Sequence, residues 1–384
     1  MLPKTQLGSA LGVIGMLVFV GAAAGCRDSQ AAPLHGDLVT TADPPGKTLE
    51  TASPAGKLEM PSPDKKEPAA TADKAPPVDG TLTLSAVGDC TLGSDYRVTG
   101  AEGTFDEAVN QAGGDLSAPF AGVVSVLSKD DLTIANLEGP LSHAKPSVDH
   151  TFVFNGKPEY AEALAKGSVE MVNLANNHAG DFGTDGMKQT ILAVDKAGVG
   201  SFGNGRIDVR TVKGIEVVNI GYLGGGDGVE KRVVKDVKKH KRPDNLVIVT
   251  FHWGVEGSNV PIDDQTRLGH AVVDAGADLV LGHHPHVIQG IETYKGRHIV
   301  YSLGNFVFGG NSNPADKDSM IYQEVFAKEG GAVVSKENRV IPVSISSVST
   351  RNDFHPVLLE GAAKERVLGR VREYSDKLVP QKKR

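Results

Sequence analysis

The chain is 384 residues long, with 47 acidic against 40 basic side chains, and its formal charge of −7 excludes the basic footprint of a nucleic-acid binder. Its 2 cysteines, Cys26 and Cys90, leave no disulfide framework, so a small stapled scaffold is excluded and stability must come from a large core. Length alone allows two average domains.

Residues 1–25 carry an early positive charge, Lys4, and then an apolar run from Leu11 to Ala24. That run is too short for a comfortable membrane span and fits the apolar region of a secretory signal. It ends in Ala23-Ala24-Gly25-Cys26, which resembles a bacterial lipoprotein signal with Cys26 as the lipidated residue. An ordinarily cleaved signal peptide with an incidental cysteine is the other reading. The first implies an extracytoplasmic lipoprotein anchored to a membrane through Cys26, periplasmic or at the cell surface. Residues 26–80 are dominated by Ala, Pro, Lys, Asp, Thr and Ser without an apolar period. Such a segment cannot bury enough surface to offset its chain entropy, and it reads as a disordered, Pro-stiffened tether.

Order is expected from Thr81. The runs TLTLSAVG from Thr81, DLTIANLE from Asp131, VEMVNLANNH, NLVIVTFHWG and ADLVLGHHPH each read as a strand followed by a polar cluster. Helices are expected between them at Pro119 to Lys129, Lys157 to Lys166, Asp185 to Ala197 and Asp263 to Ala275. The basic run Lys231 to Arg242 reads as a solvated face. After Gly310 the pattern predicts short antiparallel strands, and in residues 351–384 it predicts a closing helix, Glu365 to Leu378, with a basic tail. Strands alternating with helices define an α/β class, in which ligand sites gather beyond the carboxyl ends of strands.

All five polar clusters stand at that end: Gly88-Asp89-Cys90, Asn136-Leu137-Glu138, Asn173-Leu174-Ala175-Asn176-Asn177-His178 with Asp181, His252-Trp253 with Glu256, and His283-His284-Pro285-His286. Asn305, in the run Ser302-Leu303-Gly304-Asn305, falls near the same mouth. Imidazoles crowded at strand ends are poor core material and good ligands for Mn, Fe or Zn. The donors outnumber what one tetrahedral ion needs, so one or two divalent ions are expected. Either His283 or His284 is the ligand; on an extended segment His284 and His286, two apart, would share a side, with His283 facing away. Cys90 is either a small buried hydrophobe or a thiolate near the metals.

The series GD, NLEGPLS, TFVFNGKPEYAEAL, NLANNHAGDFGTDGM, FHWGVE, GADLVLGHHPHVIQG and YSLGNFVF resembles the CapA family of poly-gamma-glutamate capsule biosynthesis proteins. The resemblance runs from about Leu82 to Phe308 and implies a calcineurin-like metallophosphoesterase fold, a layered α/β/β/α sandwich, over 81–350. It implies metal-site roles for Asp89, Glu138, Asn177, His178, His252, His284 and His286. His178 would be the catalytic acid, with Asn177 and Asp181 beside it, and Asn136, Glu256 and Asn305 would face substrate or stand behind the ligands. Thr91 stands where the wider superfamily has a histidine, and Glu138 where it has an aspartate. Two readings follow. One is a membrane-tethered capsule or poly-gamma-glutamate biosynthesis protein with a phosphoesterase-type hydrolytic site, working beside polyglutamate synthase or export subunits. The other is a metal-containing accessory that binds an anionic polymer without cleaving it, or that hydrolyses its amide bonds.

Overall fold

The computed structural model describes residues 80–378 apart from 226 and 227. The expected signal peptide, Cys26, the tether up to residue 79 and the basic tail lie outside the described residues. In chain order the strands are β1 (Thr81–Thr91), β2 (Ser94–Asp95), β3 (Leu132–Leu137), β4 (Phe154–Asn155), β5 (Met171–Asn173), β6 (Gly200–Phe202), β7 (Ile207–Val212) and β8 (Ile215–Leu223). They continue as β9 (Asn245–His252), β10 (Leu279–His283), β11 (Ile291–Tyr294), β12 (Arg297–Val300), β13 (Asn305–Phe308), β14 (Asp318–Glu329), β15 (Ala332–Ser344) and β16 (Val357–Leu358). The helices are α1 (Phe105–Gln111), α2 (Val124–Leu127), α3 (Ala161–Lys166), α4 (Gly183–Lys196), α5 (Val229–His240), α6 (Asp263–Ala275) and α7 (Gly361–Asp376).

Two large sheets carry the fold. One runs β16-β15-β14-β1-β3-β5-β6 with β13 also paired to β1, and the other runs β11-β12-β10-β9-β8-β7. Leu82, Leu84 and Ile134 of the first sheet pack with Val217, Ile248 and Leu281 of the second in one apolar layer. A second layer joins the outer face of the first sheet to α1, α3 and α4 through Val87, Leu137, Phe105, Leu164 and Val194. A third joins the second sheet to α5 and α6 through Val249, Val280, Val233 and Leu268. The order is therefore helix, sheet, sheet, helix, and the class is α/β as the motif series implied. Strands covered on both faces must be apolar throughout, which is why β3, β9 and β10 read as unbroken hydrophobic runs.

The expected strands and α6 stand where the pattern placed them. The basic run is α5, with Val229, Val233 and Val237 buried on one stripe and Lys231, Lys235, Lys238 and Lys239 in solvent. Pro119 to Lys129 was expected to be one helix. It is a short turn over Ala118–Phe120 and the four-residue α2. Gly122 separates them, and a Cβ there would sit 2.3 Å from the Pro356 carbonyl oxygen, a contact made by residues far along the chain. The strands after Gly310 are long rather than short: β14 and β15 run 12 and 13 residues as an antiparallel hairpin laid on β1. Among the described residues no helix is long and apolar enough to cross a membrane.

Candidate metal centre

The parallel register of the central strands sets the site. Asp89 of β1 pairs with Asn136 of β3 on one side and with Asn305 of β13 on the other. His252 and His283 end β9 and β10 side by side. The close approach of β13 depends on Gly88, where a Cβ would lie 2.1 Å from the Gly304 carbonyl oxygen, and the Asp89 N–H donates to that same oxygen at 3.0 Å. Glu138 follows β3 and its N–H donates to the Cys90 carbonyl at 2.9 Å. Chain segments separated by up to 195 residues thus deliver their polar ends to one rim, with the His284 N–H donating to Asp89 Oδ2 at 3.2 Å.

Asp89 is surrounded by donors. Asn136 Nδ2 donates to its Oδ1 at 2.8 Å, His283 Nδ1 lies 3.3 Å from the same oxygen, and His286 Nδ1 lies 3.3 Å from Oδ2. Burial alone would raise its pKa, but the hydrogen bonds and charge of His283 and His286 hold the carboxyl well below the usual range. Glu138 is the opposite case. It is fully buried, neither Oε1 nor Oε2 has a hydrogen-bond partner, and burial with the nearby Asp89, Glu256 and Asp181 carboxylates pushes its pKa well up. Around it stand His252 Nε2 at 3.7 Å, His286 Nε2 at 3.8 Å and His178 Nε2 at 4.0 Å. Burial, reinforced by the neighbouring imidazoles, drives the His252 pKa well down, which keeps its ring neutral.

These features fit a divalent cation. A buried carboxylate without a partner costs several kcal/mol, and ordinary interiors do not tolerate it. Oxygen and nitrogen atoms of Asp89, Glu138 and His252 lie within 4.8 Å of one another. Buried His283 Nε2 and His284 Nδ1 also lack partners. Mixed imidazole and carboxylate donors suit Zn, Mn or Fe. Asp89, Glu138, His252 and Asn177, whose Oδ1 is 2.7 Å from His252 Nε2, would hold such an ion, with His284 and His286 adjoining. When bound, the cation supplies Lewis acidity and an acidified water.

The chain's own residues fix the His178 ring. Asp181 Oδ2 lies 2.8 Å from His178 Nδ1 and also accepts from the Phe154 N–H at 2.8 Å, so the carboxylate is itself fixed. The Phe154 ring covers the imidazole at 4.3 Å between centroids. A ring held at Nδ1 leaves Nε2 for a further contact, and that atom lies 4.0 Å from Glu138 Oε1. The cleft, about 470 Å³, is lined by His178, His286, Asn305 and Glu256 together with Phe152, Phe154 and Phe308.

The structure brings every sequence-predicted site residue in the described range to this rim, with three corrections. Asn136, read as facing substrate, is completely buried: Nδ2 serves Asp89 and lies 3.2 Å from His252 Nδ1, while Oδ1 accepts from Asn173 Nδ2 at 2.9 Å. It braces the ligands from behind. His283, expected to face away, has its ring beside Asp89. The segment after β10 is not extended, since His284 and His286 have φ of 96° and 57°, so strand alternation does not apply. Asn173, the first residue of the third polar cluster, holds Asn136 in turn. Cys90 is a core thiol whose pKa burial pushes up to about 12, and no thiolate stands at the metals. Trp253 is packing: it stacks on Phe251 at 4.4 Å and its Nε1 donates to the Tyr301 carbonyl.

The family model of the bacterial capsule synthesis protein PGA_cap matches residues 83–310. The chain belongs to this family. It is 32% identical over 299 residues to the capsule biosynthesis protein CapA of Bacillus anthracis, covering 70% of this chain and 69% of that one. It is 31% identical over 279 residues to the PGA biosynthesis protein CapA of Bacillus subtilis, covering 66% of this chain and 70% of that one. Among solved structures it is similar to the calcineurin-like phosphoesterase YfkN of Bacillus subtilis, with a TM-score of 0.40, 16% identity and coverage of 77% of this chain and 96% of that one.

Proposed function

We propose that this protein serves capsule or poly-gamma-glutamate biosynthesis, and that its described domain is a metal-dependent phosphoester hydrolase. The observation that carries the hydrolytic reading is Glu138, a buried carboxylate with two unpartnered oxygens among imidazoles. The oriented His178–Asp181 pair fits a proton donor, since Asp181 fixes the ring at Nδ1 and leaves Nε2 on the Glu138 side. His178 protonates the leaving oxygen from Nε2, while Asn305 faces the substrate at the cleft wall. The names of the relatives support the biosynthetic role, and the proposal places the protein beside polyglutamate synthase or export subunits. Cys26 tethers the domain to a membrane; Cys26→Ser releasing it into the soluble fraction is the outcome that tests this.

A second reading, an accessory that binds an anionic polymer or cleaves its amide bonds, also follows from those names. Among the described residues the cleft lining holds no lysine or arginine, and its basic side chains are His178 and His286. The deciding experiment is elemental analysis of the purified full-length chain beside hydrolysis of bis(p-nitrophenyl) phosphate, p-nitrophenyl phosphate and poly-gamma-glutamate. Bound metal with phosphoester turnover supports the proposal. Metal without turnover moves the assignment to binding, and a metal-free chain overturns the centre itself.

A further inference from the structure

We propose that Glu256 is a direct ligand of an outer cation, held together with His284 and His286, rather than a contact to substrate. The inference rests on the metal-centre reading above and assigns a residue that reading leaves free. Ligand atoms of Glu256, His284 and His286 lie within 4.8 Å of one another, and this trio shares no member with Asp89, Glu138 and His252. Two imidazoles and one carboxylate form a donor set for Zn, Mn or Fe.

An exposed glutamate needs no explanation in general, since solvent satisfies it. The backbone around Glu256 is what sets it apart. The Trp253 N–H donates to the His283 carbonyl at 3.0 Å and the Gly257 N–H donates to the Pro285 carbonyl at 2.8 Å. The Ser258 N–H donates to the Val255 carbonyl at 3.2 Å, which closes a turn with Glu256 at its second position. The loop is therefore fastened on both sides of Glu256 to the segment that carries the two histidines. Gly257 supplies the positive φ of 74° that the third position of such a turn requires. The His284 Nδ1 atom is buried without a partner, and Glu138 Oε1, also unpartnered, lies 3.8 Å from His286 Nε2. Unpartnered ligand atoms thus stand within the trio and beside it. A carboxylate aimed at an anionic substrate with no cation between them would repel it, so direct substrate contact is the poorer assignment.

Burial then orders the two positions. Asp89, Glu138 and His252 are buried, whereas Glu256 is exposed and its two histidines are partly so. The outer ion, open to the cleft, exchanges first. The test uses full-length protein equilibrated with Mn²⁺ or Zn²⁺, metal per chain by elemental analysis, and timed extraction by EDTA. Wild type is expected to hold two equivalents that leave in a fast and a slow phase. Glu256→Gln is expected to hold one equivalent, in the slow phase only, with an unchanged circular dichroism melt. Since removing a partner behind a ligand already costs about 10–100-fold in metal affinity, losing the ligand itself should weaken the outer ion by about 100-fold or more. Loaded wild type with the same stoichiometry and phases in Glu256→Gln overturns this inference and leaves the centre standing. Metal-free wild type overturns the centre and this inference together.

Discussion

Among the described residues two glutamates are fully buried, each beside a histidine, and they are chemically opposite. Glu324 on β14, in the layer between the sheets, has both oxygens engaged: Tyr322 Oη donates to Oε2 at 2.6 Å and His298 Nδ1 lies 3.0 Å from Oε1. Glu138 at the rim has neither oxygen engaged, although three imidazole nitrogens stand at 3.7–4.0 Å. Residue type and burial are the same. The difference is satisfaction within the protein, which separates a structural carboxylate from one reserved for a cation. Distances just beyond hydrogen-bond length, converging from several strands, leave room for an ion.

The comparison can be broken most decisively at the imidazoles. His178→Ala should lower phosphoester turnover by about 10²–10⁴-fold with metal content retained, as removal of a general acid does. His298→Ala should leave turnover unchanged, and steady-state assays with metal analysis on both variants check this. Glu138→Gln comes next: metal affinity should fall about 100-fold or more, while the melting temperature of the metal-free chain does not fall, because no protein partner is lost. Calorimetric titration with Mn²⁺ and a thermal melt read both effects. At the other glutamate the signs reverse. Glu324→Ala strands His298 and Tyr322 and should cost about 3 kcal/mol in denaturant unfolding, with metal binding intact.

The smallest effect lies at an intermediate case. Asp130, at the opposite edge of the sheets, accepts from Thr133 Oγ1 with Oδ2 while Oδ1 has no partner. Burial, aided by Glu170 and Asp131 and opposed by Ser85 and Thr133, raises its pKa to about 6. The folded state therefore holds this proton more tightly than the unfolded chain, where aspartate titrates near about 3.9. Ionising Asp130 in place costs stability above pH 6, and the cost vanishes as pH falls from 6 toward 4. Asp130→Asn should raise the melting temperature slightly at pH 8 and leave it unchanged at pH 4. Equal shifts at both values would show that charge is not the cause.

Much of this was legible in the chain itself. Runs such as NLVIVTFH and ADLVLGH are apolar because both faces of their strands are covered, and that pattern survives in one dimension. Polar clusters immediately after such runs marked the carboxyl ends of the strands, so Asp89, Glu138, His178, His252 and His286 were found without coordinates. The stripe of Val229, Val233 and Val237 in α5 was equally readable. What failed was local orientation. His283 was set aside by an alternation rule that holds only on extended backbone, and the positive φ of His284 and His286 removed that premise. The break at Gly122 was hidden for a similar reason, since the Pro356 carbonyl that crowds it arrives from the far end of the domain.

The sequence by itself thus determined the class of the fold, the rim on which chemistry would collect and the kinds of donor gathered there. Periodicity and residue type are local properties, and composition carries them intact. Only the tertiary structure decided which donors face one another, that Asn136 braces rather than binds, and that Glu138 is left without a partner. Those are relations between strands brought into register by packing, and hydrogen-bond satisfaction exists only once the strands have met.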